Sequence, residues 1–366
     1  MLDALANIVG DKGLLAGGKE MDPFLTDWRG RRKGAALAVV SPATTQEVAA
    51  VVALAARQGQ PVFPLGGNTG LCFGAVPESA DPARPGIVLS LRRMNRIRSI
   101  DRDDNVAAVD AGVVLGDLHA AAAAAGRSFP LHLGSEGSAQ IGGLISTNAG
   151  GTAVLRYGPM RDLVAGLEVV LADGRVLDDM AALRKDNTGY MLRHLFVGAE
   201  GTLGVVTGAA LRLHPRMEAA AHAWVSVPSP AAAVSLLSRF RDSADPYIQA
   251  FELLSASQVA LVMKHVGRAR NPFPAVPDWS VMIELGSADA TARLDGIMEA
   301  VLAGALEEGL ALDAVVAASQ AQADEIWAVR HSVSEANKKE GIGIVHDVAV
   351  RTSDVAAFIA AADRVA

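Results

Sequence analysis

At 366 residues, 51% of them hydrophobic and 20% charged, the chain has length for two or three domains of roughly 150 residues each and is too apolar for bulk disorder. A net charge of −7 argues against the clustered basic face of a nucleic-acid reader. The single cysteine, Cys72, excludes a disulfide framework or a cysteine-built metal cluster, so a small-molecule partner is the expectation.

The lone thiol fits a reducing compartment, and the start MLDALANIVGDKGLL has no basic segment followed by an apolar run, so no signal peptide is read there. The uncharged stretches at 58–77 and 137–155 are too rich in Gly, Pro and small polar residues for a membrane span. These features predict a cytoplasmic protein, with peripheral attachment at the inner membrane left open.

Residues 36–40 form a short apolar run, and Thr44, Thr45 and Glu47 after Pro42 mark a helix start with a carboxylate in its first turn. That helix, TQEVAAVVALAARQ, ends at Gly59, and the β-rich PVFPL leads into GGNTG. The order recurs: GDLHAAAAAAG is a helix closed by Gly126, followed by SFPLHL and a second glycine-rich stretch. Two helix, strand, glycine-loop units predict crossovers within one α/β layer. Between them, GIVLSLRRMNRIRSIDRDDNVAAVDAGV alternates apolar runs with turn residues, as a strand meander would.

LVAGLEVVLADGRVL predicts a hairpin around Asp173 and Gly174. RKDNTGYMLRHLFVGAEGTLGVVTGAALRLHP predicts a short helix, a glycine-rich turn over 198–204 and a strand ending at Pro215. Longer helices (SPAAAVSLLSRFRDS, ATARLDGIMEAVLAGALEEG, SQAQADEIWAVRHSVSEANKKE) then alternate with strands (AHAWVSV, WSVMIELG, GIVHDVAV). A boundary over 216–222 separates a glycine-loop domain from a helix-on-sheet α+β domain.

The first loop offers Gly66, Gly67, Asn68, Thr69 and Gly70; the second offers Gly134, Ser135, Gly137, Ser138, Gly142, Gly143, Thr147, Asn148, Gly150 and Gly151. Glycine lets the main chain approach a phosphate closely, and successive N–H groups form an anion nest. The interspersed Asn, Thr and Ser suit a large, partly aromatic, hydrogen-bonding ligand. One glycine cluster is explained equally well by a tight turn; three in one domain point to a cofactor. G-x-G-x-x-G opening a helix, G-x-x-x-x-G-K-[ST], G-x-S-x-G and C-x-x-C are all missing, which disfavours a Rossmann or P-loop enzyme.

PVFPLGGNTGL (61–71), GSEGSAQIGGLISTNAGGTAVLRYG (134–158), LVAGLEVVLADGRVLD (163–178), RKDNTGYMLRHLFVGAEGTLGVVT (184–207) and IWAVRHSVSEANKKEG (326–341) occur in that order. Together they resemble the FAD-binding oxidoreductases of the vanillyl-alcohol oxidase type, in the D-2-hydroxyglutarate and D-lactate dehydrogenase branch. The resemblance implies an α+β fold: an N-terminal segment over 1–33, a PCMH-type FAD-binding domain of two α/β subdomains over 34–216, and an α+β substrate or cap domain with an antiparallel sheet over 217–366. It implies FAD with its pyrophosphate and isoalloxazine edge at the first two loops, flanked by Pro64 and Leu71. Gly198, Glu200, Gly201, Thr202, Gly204 and Val205 would hold the adenosine end. Where relatives tether FAD through a His after the first glycine pair, this chain has Asn68, so the cofactor is expected to be noncovalent. Cys72 reads as a small hydrophobe lining the loop.

Oxidising a 2-hydroxy acid needs a carboxylate anchor, a base or Lewis acid for the hydroxyl, and flavin N5 placed to take the C2 hydride. The helix around 320–340 carries an apolar stripe of Ile326, Val329, Val333 and Ala336. Trp327, Arg330, Ser334 and Lys338 follow one border of it. By periodicity Arg330 is either a snorkelling surface residue or a bidentate carboxylate anchor. The resemblance implies the anchor, with Trp327 and Ser334 also binding substrate. A family lysine before the next strand is here Val345, followed by His346; Lys338 or Lys339 is either its substitute or a solvated helix end.

Relatives continue into H-x-G-D-G-N-x-H and E-H-G-x-G segments that supply a divalent metal, Zn or Mn, and the base. Neither motif occurs up to Ala366 and the eight histidines show no ligand spacing, so metal ligands and base stay unassigned. SDVAAFIAAADRVA reads as an interrupted helix. Two readings result. One is a D-2-hydroxy-acid dehydrogenase passing electrons to an electron-transfer flavoprotein or quinone, with a homodimer left open. The other is a flavin-binding subunit or fragment that needs a partner chain, as in glycolate oxidase assemblies.

Overall fold

The computed structural model describes residues 1–366 apart from 80, 82, 268, 344, 345 and 366. By their contacts they divide into one unit of 1–131, 135–151 and 157–216, and a second of 132–134, 152–156 and 217–366.

In the first unit α1 (Leu2–Val9) buries Leu5 and Val9. β1 (Leu14–Leu15) precedes the short α2 (Asp22–Leu25) and pairs antiparallel with β2 (Ala38–Val40). α3 (Thr45–Arg57) begins where its polar residues predict. The Thr44 hydroxyl accepts from the Glu47 N–H at 3.1 Å and the Glu47 carboxylate from the Ala43 N–H at 2.7 Å, so donors at the helix start are satisfied by side chains. β3 (Val62–Leu65) and β4 (Ile87–Ser90) complete a sheet of order β1-β2-β4-β3 in which β2, β4 and β3 run parallel. Ala38, Val39, Val40, Ile87, Val88 and Leu89 are wholly buried, as a parallel sheet covered on both faces requires.

The chain continues through β5 (Ile97–Asp101), β6 (Val106–Asp110), α4 (Leu115–Ala124), β7 (Arg127–Ser128), α5 (Ile141–Ser146), α6 (Val154–Tyr157) and α7 (Met160–Leu163). β8 (Val164–Leu171), β9 (Val176–Asp179), α8 (Arg193–Phe196), β10 (Gly204–Arg212) and β11 (His214–Pro215) follow. An antiparallel sheet of order β5-β6-β10-β8-β9 results. β8 and β9 turn at Asp173 and Gly174, the glycine at φ 88° returning its N–H to the Leu171 carbonyl. Glu168 on β8 accepts from the Thr45 hydroxyl at 2.7 Å, Arg98 Nη2 at 2.8 Å and the Thr207 hydroxyl at 2.9 Å. Burial works to raise its carboxyl, but these bonds hold it below the ordinary carboxylate value. The network ties α3 to the antiparallel sheet.

The second unit runs β12 (Ala219–Val227), α9 (Pro230–Ala244), β13 (Ile248–Ser255), α10 (Ala256–His265), β14 (Trp279–Ser287), α11 (Leu294–Glu307), β15 (Asp313–Val316), α12 (Gln320–His331), α13 (Val333–Glu340) and α14 (Val355–Ala362). Its antiparallel sheet has order β13-β14-β12-β15. Period-two alternation on β12 sends Ala221, Ala223, Val225 and Val227 towards α9 and α11. Trp224, with Met282 and Leu254, faces α10 and α12 on the other side.

Four sequence expectations are corrected here. The second helix, strand, loop unit does not share a layer with the first: its strand is only Arg127–Ser128 and pairs with β11 in a two-stranded ribbon. Pro130 stops it, having no N–H for a ladder and restricting Phe129 before it. β4 leaves the expected meander for the parallel sheet because it is a continuous buried apolar run, while β5 and β6 pair as a hairpin. The helix over 319–340 is divided at Ser332, whose N–H is shared between the Ala328 and Val329 carbonyls. Residues 346–350 form no strand and find no ladder partner among the described residues, with Val348 61% exposed. No helix among the described residues is long and apolar enough to cross a membrane.

Candidate functional site

Within the first unit the three glycine loops converge. β3 delivers the first loop against the second so closely that a Cβ on Gly67 would stand 1.9 Å from the Ser138 carbonyl oxygen. Gly66 faces Gly143 and Gln140, its missing Cβ 3.6 Å from each. The third loop is pinned to α5 of the second by bonds from the Gly198 N–H to Ile145 O at 3.0 Å and from the Glu200 N–H to Ser146 O at 2.9 Å. It also covers Pro64, whose Cγ is 3.1 Å from where a Gly201 Cβ would be. Val205 is buried at the start of β10, and Leu71 is 37% exposed.

The polar side chains of the loops are turned back on their own chain. Thr147 Oγ1 donates to Gly143 O at 3.0 Å, Ser138 Oγ to Ser135 O at 3.5 Å, and Thr202 Oγ1 to Ala199 O at 2.6 Å. Asn68 Nδ2 donates to Thr26 O at 2.8 Å and Pro23 O at 3.2 Å, so its amide fastens the segment around α2. What the loops leave available is main chain. Among the described residues the N–H groups of Gly67, Asn68, Thr69, Gly70 and Gly143 meet no acceptor, and a Cβ on Gly70, Gly137 or Gly143 would meet nothing within 4 Å. Asn68, Phe73, Asn148 and Glu200 hold φ of 53°, 64°, 49° and 50°, strained conformations of the kind that gathers at binding sites. Gln140 Oε1 at the head of α5 is buried without a partner among the described residues. Free, closely approachable N–H groups suit an anionic diphosphate, so the residues present fit FAD. Cys72 is exposed, which corrects its reading as a hydrophobe lining the loop.

In the second unit, α12 carries two of the three substrate candidates. Trp327 is buried and its Nε1–H donates to His222 Nδ1 on β12 at 2.9 Å. Burial pushes the His222 imidazole below its ordinary value, which keeps it neutral and able to accept. Trp327 stacks on His331 with ring centroids 5.9 Å apart. Both line a cavity of about 680 Å³ together with Gly134, Asp324, Glu325, Ala328, Ser332 and Glu335. Arg330 lies outside that lining, its Nε–H donating to Glu252 on β13 at 2.5 Å. Ser334 is exposed on α13 and also outside it. Lys338 and Lys339 are exposed, and Lys339 bonds Glu335 at 2.6 Å. Val345 lies outside the described residues. His222 and Glu252 carried no sequence signal: each acts on a residue far along the chain, and β13 itself was not legible.

The profile of the FAD binding domain matches residues 36–179 and that of the FAD linked oxidases, C-terminal domain, matches 216–366. A D-2-hydroxyglutarate dehydrogenase of Xanthomonas citri pv. viticola is 35% identical over 93% of this chain and 70% of its own length. The chain belongs to the FAD-linked oxidase family. The mitochondrial D-2-hydroxyglutarate dehydrogenase of Arabidopsis thaliana is 34% identical over 95% of the chain. The chain spans about three fifths of that relative's length, 61%. The solved p-cresol methylhydroxylase superposes with a TM-score of 0.69 at 18% identity, covering 91% of this chain and 68% of that one. The fold is therefore of the PCMH type, as the motifs imply. The cytoplasmic expectation is corrected: plant and animal relatives of the chain are named as mitochondrial, and a lone cysteine with an unremarkable start was too weak a basis for it.

Proposed function

We propose that the chain serves the FAD-dependent oxidation of a D-2-hydroxy acid, of the D-2-hydroxyglutarate or D-lactate class, to the 2-oxo acid. The observation that carries the reading is the meeting of three glycine loops around unpaired N–H groups. Residues 34–216 are then the cofactor domain, and 217–366 bear the substrate residues. Bound FAD supplies a hydride acceptor at N5, and Asn68, where a tether would attach, leaves it noncovalent. Gly66 to Gly70 and Gly143 donate main-chain bonds to the pyrophosphate, while the Gly142 N–H donates to Ala111 O at 2.7 Å. Gly198 to Val205 hold the adenosine end, and Asn148 turns the second loop towards it.

On the substrate side Arg330 presents its guanidinium to the carboxylate, Ser334 adds a hydroxyl, and Trp327 bounds the site from a position fixed by His222. Glu252 holds Arg330 from its Nε side. No metal ligand is assigned in this chain. The electrons leave to an electron-transfer flavoprotein or a quinone.

The test is anaerobic addition of D-2-hydroxyglutarate or D-lactate to the FAD-loaded chain. Loss of the visible flavin band is expected, and its loss should be abolished or need at least about tenfold more acid in Arg330→Ala. A yellow chain that neither acid bleaches overturns the reading. Acid precipitation should leave the flavin in the supernatant; flavin in the pellet would contradict the noncovalent assignment.

A further inference from the structure

Arg161 is the second residue of α7, between the second glycine loop and β8, and touches both later loops. Its Nη1 donates to His194 O at 2.7 Å and its Nη2 to Val197 O at 2.6 Å, the two carbonyls that lead the chain into the third loop. Its own N–H donates to Asn148 Oδ1 at 2.9 Å, on the residue that turns the second loop at φ 49°. Gly198, at φ 83°, sits in the angle between them: its missing Cβ would be 3.4 Å from Asn148 Cβ and 3.7 Å from Arg161 Nη2. Backbone held at positive φ on non-glycine residues persists only where its surroundings over-determine it. Here that applies to Asn148, which accepts from the Arg161 N–H, and to Glu200, three residues past Val197, whose carbonyl Arg161 also binds.

The geometry points to Arg161 as a positioning residue for FAD: its forked guanidinium and main-chain N–H clasp the second and third glycine loops and fix the spacing of the main-chain groups that hold the cofactor. A planar fork with five donors can satisfy two carbonyls at once, whereas a lysine ammonium concentrates its donors at one point. The clasp acts through backbone and not by touching the cofactor, so its removal should show in how tightly and in what environment FAD is held. This inference rests on the reading that the three loops hold FAD.

The test compares the full chain with Arg161→Lys, Arg161→Ala and Asn148→Gly, the last keeping the left-handed backbone while removing the acceptor. Each is titrated with FAD, its FAD dissociation rate and visible-region circular dichroism are measured, and the melting temperature of the FAD-free chain is taken. Arg161→Lys and Asn148→Gly should weaken FAD by about tenfold each, mostly through faster dissociation, with altered dichroism and an FAD-free melting temperature within about 2 °C of the original. Should Arg161→Ala fail to fold, those two variants decide. Unchanged FAD affinity and dichroism in them overturns the inference, and so does weakening matched by a general loss of melting temperature, which marks a purely structural residue. Failure of the original chain to bind FAD would instead remove the underlying reading.

Discussion

His222 and Glu284 are Cα partners on neighbouring strands β12 and β14, and burial shifts them in opposite senses: the imidazole down, the Glu284 carboxyl up. A histidine with a folded pKa below its unfolded 6.5 stabilises the fold above that value and loses the contribution as pH falls through the folded pKa. Melting temperature should therefore drop below about pH 6.5, and His222→Gln, which retains an acceptor for Trp327 without titrating there, should flatten that slope. An unaltered slope would show that His222 does not set it. Glu284 has the reverse sign: its raised pKa contributes stability below about 4.5 that is lost as pH rises through the folded value. Glu284→Gln should raise the melting temperature at neutral pH and change little at pH 4; no gain at neutral pH would contradict the burial argument. At this scale sequence legibility was uneven. Arg330 stood out as a cation on the border of an apolar stripe, but its partner Glu252 lies 78 positions away, a separation that no local spacing encodes.

Elements whose signals are local were legible, and those that depend on partners were not. Thr44 with Glu47, and Asp173 with Gly174, mark a helix start and a hairpin through bonds made within a few residues. Residues 343–350 carry the apolar alternation of a strand, yet a strand needs a neighbour, and its described part has none. Losing the cap in Thr44→Ala should destabilise the fold by about 1 kcal/mol in denaturant unfolding; no loss would mean that the cap is not limiting. Gly67→Ala should be more damaging, since its Cβ would fall on the Ser138 carbonyl rather than on a yielding side chain. Both lower melting temperature and lost FAD uptake are expected, and a stable chain that binds FAD normally would refute the contact between the first two loops.

For the whole molecule, family membership and the convergence of the loops support the same cofactor from independent directions. The motifs conveyed the order of the loops along the chain, but not that their hydroxyls would turn back on carbonyls while main-chain N–H groups stay unpaired among the described residues, because hydrogen-bond direction depends on tertiary placement. If FAD binds only the folded chain, free FAD at a hundred times its dissociation constant should stabilise it by about 2.7 kcal/mol. The most direct measurement is an FAD titration of the intact chain beside Gly143→Ala, a substitution that meets nothing within 4 Å and suits a helix but crowds the proposed approach of the pyrophosphate. The account predicts that the original chain takes up FAD releasable by denaturation, and that Gly143→Ala folds with an equal or higher melting temperature yet binds FAD at least about tenfold more weakly. A folded original chain that takes up no FAD, or a Gly143→Ala chain that binds it equally well, would contradict it.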